Sequence, residues 1–207
     1  MKKSKKVELL AELAESIVSD SADVFLLFVD LCDSTEFKQT VVSQGLPDTT
    51  WILRQLTFLQ RAAKLIGKYD GAVVKTIGDE VFGYFEATTE PERVLKCAIE
   101  IIQSCKNLKT YSGKSSISVK ASIDVGLTYN GSLFDSAIFD PIGTPVDRCA
   151  RLNSLAEKND ILFSEDFYTA LEDSYAKKGK TLTYKLSTHK KNLKGIGESK
   201  YYRLSAR

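Results

Sequence analysis

Apolar positions along this chain fall into two rhythms, unbroken runs of strand length and stripes recurring every three to four residues. Residues 23–31, DVFLLFVDL, are almost wholly apolar yet too short for a buried helix, so they predict a central strand. Helical spacing then runs from Ser34 to about Gln44, and Pro47 interrupts it. Residues 48–69 predict a long helix with Ile52, Leu56, Leu59, Ala63 and Ile66 inward, and Trp51 and Phe58 on one core-facing side. Val73 to Phe85 reads as a hairpin turning at Gly78 and Asp79, because glycine tolerates the positive φ that tight turns demand. A helix from Pro91 to about Leu108 carries Val94, Leu95, Ala98, Ile101 and Ile102.

Residues 116–129 alternate like a strand in their first half, and GSLFD follows the Asn130–Gly131 turn as a short strand. A helix is expected from near Gly143 to about Glu157, where Pro145 is tolerated because early helical positions need no N–H partner. ILFSEDFYTALED predicts a strand feeding a helix, with Ser164 as N-cap and Glu165 and Asp166 in the first turn. LTYKLS and KYYRL predict two closing strands around the polar HKKNLKGIGES, with His189, the single histidine, just ahead of that loop's lysines and read as a surface residue. At the other end, residues 5–18 place Val7, Leu10, Ala14 and Ile17 on one face of an amphipathic helix. The order β-α-α-β-β-α-β, with further strands and helices after it, predicts an α+β sheet with helices on one face.

A chain of 207 residues is expected to form one domain, here 21–207, with residues 1–20 as a helical appendage. A net charge of +2 gives no global basic field, which argues against a nucleic-acid binder, and Lys2, Lys3, Lys5 and Lys6 read as a solvated terminus. Cys32, Cys97, Cys105 and Cys149 lack metal-binding spacing and sit in apolar stretches, as reduced thiols do. With no apolar start and no run of membrane-spanning length, the expectation is a cytoplasmic protein without membrane association.

The candidate chemistry begins where the first apolar run ends. Asp30 closes the strand, and Ser34 and Thr35 open a helix whose free N–H groups form a natural seat for phosphate oxygens. Asp79 has two readings, a solvated hairpin tip or half of a site. If strand 23–31 lies beside the hairpin, Asp30 and Asp79 approach one another, and their mutual repulsion calls for a cation of the Mg²⁺ or Mn²⁺ kind between them.

Six segments, FVDLCDST, KTIGDEVFGYF, SIDVGLTYNG, FDPIGTPVDRCARLNSLA, ILFSEDFY and LKGIGESKYYRL, fall in the order seen in class III nucleotidyl cyclase catalytic domains. The chain resembles that family from about residue 23 to 204. The resemblance implies a ferredoxin-like core, two Mg²⁺ or Mn²⁺ ions per site, and a homodimer with its sites at the interface. It matches Asp30 and Asp79 to the metal-binding aspartates, with the carbonyl of Leu31 as a further ligand. It matches Arg151 to a transition-state arginine supplied by the other subunit, and Lys75 and Asp140 to the positions that read adenine. Phe28, Ser34 and Thr35 of the first segment fall to substrate binding.

The departures from that pattern are specific. Asp147 stands where the family usually carries a ribose-positioning asparagine; a carboxylate only accepts hydrogen bonds, whereas an amide also donates. Asp33 replaces the usual glycine of the first loop, and Ile196 falls where some members carry a phosphate-binding lysine, with Lys194 nearby. A short single-domain cyclase with such changes resembles the pyrimidine cyclases of bacterial antiphage defence, which make cyclic UMP or cyclic CMP for an effector. The Lys75–Asp140 pair instead favours an adenylate cyclase, and Asp147 leaves room for a silent nucleotide-binding module.

Overall fold

The computed structural model describes residues 21–108, 117–130 and 139–205, together with positions 7, 14 and 15. The helix expected over 5–18 (apart from those three positions), the basic start and the GSLFD strand lie outside the described residues.

β1 (Ser21–Leu31) is the centre of the sheet, antiparallel to β3 (Glu80–Glu86) on one side and to β4 (Val119–Asn130) on the other. β2 (Ala72–Ile77), β6 (Asp160–Ser164), β7 (Ser187–Leu193) and β8 (Gly197–Ser205) complete the order β2-β3-β1-β4-β6-β8-β7, and β5 (Pro141–Ile142) pairs with the end of β4. The first four strands therefore run β2-β3-β1-β4, the ferredoxin-like arrangement, with α1 (Ser34–Ser43) and α2 (Thr49–Lys68) between β1 and β2, and α3 (Pro91–Lys106) between β3 and β4. This is the α+β fold expected of a class III catalytic domain.

Alternation along β1 sets the two layers. Phe25, Leu27, Val29 and Leu31 join Phe58 and Ile66 of α2, Ile101 and Ile102 of α3, and Phe167 of α5 (Glu165–Lys177) in the main core. Each such side chain contributes about 1.5–3 kcal/mol on burial, which is why the sheet and the three helices on this face form one unit. The intervening Val24, Leu26 and Phe28 face the other way, against Cys149 of α4 (Thr144–Leu155), a single helix laid over the opposite face.

Two sequence expectations shift. In α2 the buried residues are Phe58, Ala62, Leu65 and Ile66, whereas Ile52 and Leu56 are exposed. Two apolar stripes share this helix, and the bulky Phe58 selects which one enters the core. Trp51 likewise lies outside the core, its Nε1 donating to Asp48 and Lys38 resting 4.2 Å from its ring centre. At the C-terminal end LTYKLS is not a strand: Leu182, Tyr184 and Leu186 pack on the core without a sheet partner, and Ser187–Leu193 pairs with β8 instead. Gly195 and Gly197, at φ of 82° and 102°, make the turn that sets this register, and the polar strand is tolerated because it is the sheet edge. His189 lies on it, stacked against Tyr201.

Candidate active site

Sheet pairing brings the two aspartates to one end of the sheet. β1 and β3 place Asp30 opposite Glu80, and the amide of Leu31 donates to the carbonyl of Asp79 at 3.3 Å. Gly78, at φ 63°, supplies the left-handed turn that presents Asp79; no neighbour crowds this glycine, so backbone conformation alone requires it. Asp30, Leu31, Ser34, Thr35 and Asp79 line a single open cleft of about 650 Å³.

The electrostatics of this cleft favour a cation. Burial pushes the Asp30 carboxyl above its ordinary range; Lys120, with Nζ 3.3 Å away, pulls it down, and Asp79 pushes it up again. Lys120 is thus one positive neighbour of this half-buried acid, and the open cleft leaves room for another beside the two carboxylates. Two carboxylates and a backbone carbonyl make a hard oxygen set suited to Mg²⁺ or Mn²⁺, with remaining positions left to phosphate and water. Among the described residues no group of three or more His, Cys, Asp or Glu side chains is placed to hold a metal ion.

Beside the aspartates, α1 opens toward the cleft. Asp33 precedes it in the left-handed region, φ 58°, which explains why glycine is the common residue at that point in the resemblance. Its carboxylate does not cap the helix but pairs with Lys158 at 2.5 Å, leaving the first-turn N–H groups without a side-chain cap. Lys120 and Lys158 are cleft residues that sequence reading missed. The signal for Lys120 was a lysine between the apolar Val119 and Ala121, both fully buried.

The remaining expected site residues lie elsewhere. Lys75 Nζ meets both carboxylate oxygens of Asp140 at 2.9 and 2.7 Å, so β2 and the segment before β5 form a ready-made ion pair away from the cleft lining. Asp147 and Arg151 are exposed and one turn apart on α4, and neither side chain has a hydrogen-bond or ion-pair partner among the described residues. Phe28 does not reach the cleft. It is 3% exposed and stacked on Phe82 at 4.3 Å, because its place in the β1 alternation points it under α4.

α4 is held firmly. The Arg148 guanidinium binds buried Asp124 through bonds of 2.6 and 2.8 Å and also reaches Asp166. Ser164 donates to Asp124 at 2.5 Å and accepts from the Phe167 amide, so the N-cap expected of it is made. Near the other end of the helix, Asn153 donates to Glu80 at 2.7 Å, tying α4 to the strand that follows Asp79. Burial pushes the Glu80 carboxyl up, and this hydrogen bond offsets part of the shift.

A family model described as the adenylate and guanylate cyclase catalytic domain matches residues 18–206. The chain belongs to that family and is a nucleotidyl cyclase. Solved structures share the fold. The guanylate cyclase domain of RhGC from Catenaria anguillulae, in complex with GTP, aligns with a TM-score of 0.72 at 21% identity over 90% of this chain and 97% of that one. The adenylyl cyclase CyaB from P. aeruginosa gives 0.70 at 20% over 89% and 94%. An adenylate cyclase of Trypanosoma brucei in its monomeric state gives 0.71 at 19% over 89% and 90%. No curated protein sequence matches this chain. Among the described residues, no helix is long and apolar enough to cross a membrane.

Proposed function

We propose that this chain converts a pyrimidine nucleoside triphosphate, UTP or CTP, to its 3′,5′-cyclic nucleotide and pyrophosphate in a homodimer with two divalent-metal sites. The observation that carries the general reading is the meeting of Asp30 and Asp79 beside the uncapped start of α1. Lys75, Asp140, Asp147 and Arg151 do not line that cleft, which supports a site completed by a second copy.

Asp30, Asp79 and the Leu31 carbonyl would hold the cations. Bound there, a divalent ion acidifies the ribose 3′-hydroxyl and neutralises phosphate charge. The amides that open α1, with Lys120, would receive the phosphates and hold the leaving pyrophosphate. The partner subunit's Arg151 would meet the charge that builds on the α-phosphate as the 3′-oxygen attacks, a task suited to a fixed guanidinium. The partner's Asp147 would accept a hydrogen bond from the ribose.

The pyrimidine preference rests on Asp147 and the departures around it, together with the resemblance to pyrimidine cyclases; the product would act as an antiphage signal read by a cyclic-nucleotide effector. A second reading, ATP, has its own support in the formed Lys75–Asp140 pair. Incubating purified protein with Mn²⁺ and each of ATP, GTP, CTP and UTP decides between them. A cyclic product from UTP or CTP, lost in Asp30→Ala and Asp79→Ala, is expected. Cyclic AMP alone would move the assignment to adenine, and binding without any product would mark a silent module.

A further inference from the structure

Two consecutive residues of α2 reach the two loops that carry the aspartates. Arg54 donates from Nη2 to the carbonyl of Cys32 at 3.1 Å, two residues beyond Asp30. Gln55 donates from Nε2 to the carbonyl of Gly78 at 2.8 Å, the residue before Asp79. The guanidinium is fixed from below by the ring of Phe37, 4.7 Å from its centre, and burial lowers its pKa while Asp33 and Asp79 raise it. The Gln55 side-chain oxygen is buried with no hydrogen-bond partner among the described residues, so the amide is held by its contact to Gly78.

These two contacts add to the β1–β3 ladder, which runs up to Asp30 and Glu80, to the 3.3 Å bond from Leu31 to Asp79, and to the tie of Cys32 to Ser118. Against this, two carboxylates facing one cleft repel each other whenever no cation lies between them. Gly78, at φ 63°, lies at the base of the tip, in a left-handed conformation that glycine adopts without strain.

We infer that Arg54 and Gln55 are positioning residues that fix the spacing of Asp30 and Asp79 by anchoring both loops to one turn of α2. The inference rests on the proposed metal site. Neither side chain lines the cleft; each would set the aim of a ligand-bearing backbone, and loss of such supporting contacts weakens metal binding by about 10–100-fold.

The test is Mn²⁺ binding to the whole protein without nucleotide, followed by electron paramagnetic resonance, for wild type, Gln55→Met, Arg54→Met and Arg54→Lys. Both methionine variants should bind Mn²⁺ about tenfold more weakly, and Arg54→Lys, which keeps a donor, should recover part of the loss. Melting temperatures should stay within about 3 °C of wild type, which separates aim from folding. Unchanged Mn²⁺ affinity in the methionine variants would overturn the positioning role while leaving the metal site intact. If wild type shows no Mn²⁺ binding that Asp30→Ala removes, the metal-site reading falls and the inference falls with it.

Discussion

Arg148 grips the carboxylate of Asp124, which is 0% exposed, through bonds of 2.6 and 2.8 Å, and so fastens α4 to the middle of β4. This helix also carries Asp147 and Arg151 on its open side. Asp124 holds the Arg148 guanidinium well above its ordinary pKa, while burial pushes the Asp124 carboxyl up against the pull of Arg148. Close packing completes the fastening: a Cβ on Gly126 would meet Pro145 at 2.8 Å, so glycine lets the start of α4 lie against β4.

Removing Arg148 alone leaves a buried charge without its partner. Arg148→Met should cost about 3–5 kcal/mol in urea unfolding. The double variant Arg148→Met, Asp124→Leu should recover most of that loss, because an apolar pair needs no compensation. A single variant within about 1 kcal/mol of wild type would mean that α4 is held by packing alone.

Asp147→Asn tests the most pointed departure from the family pattern. With the carboxylate as a working ribose acceptor, kcat/KM should fall by about 10-fold, because the amide oxygen still accepts the hydrogen bond but without the charge that strengthens it. Circular dichroism should not change, since this exposed side chain has no partner among the described residues. A gain of activity would identify Asp147 as a disabling residue.

Tyr69 gives the pH dependence a sign. Its hydrogen bond to Glu100 at 2.6 Å, reinforced by burial, pushes the phenol from 10.0 up to about 12. The folded state thus favours the neutral ring. That stabilisation is fully present below pH 10 and is lost as pH rises through about 12. The stability of wild type relative to Tyr69→Phe should therefore decline from pH 10 upward and be flat between pH 7 and 9, in unfolding titrations. A difference that is constant across the alkaline range would remove Glu100 as the cause.

The sequence carried the central strand, the hairpin tip and the Ser164 cap because each is a local signal: an apolar run, a glycine, an N-cap hydroxyl. It misled where two local patterns competed. Ile52 and Leu56 have the spacing of a core stripe, and only the fit of Phe58 under the sheet decides that they stay outside. LTYKLS has strand alternation without a strand to pair with. For the site, Asp30 and Asp79 were legible because they lie at the ends of recognisable strand segments, and their meeting follows from the pairing of β1 with β3. Lys120, Arg54 and Gln55 were not, because their roles depend on which loops lie above them. Phe28 shows the same limit: its motif suggested substrate, and the pleat points it under α4, against Phe82.

The division of site residues between the cleft and α4 is the claim that most needs a direct test. Asp30→Ala and Arg151→Ala should each abolish cyclase activity in homodimers. Refolded together in equal amounts they should recover about a quarter of wild-type activity, because half the dimers are mixed and each holds one intact site of two. Mixtures as inactive as the separate variants would contradict a site shared between subunits.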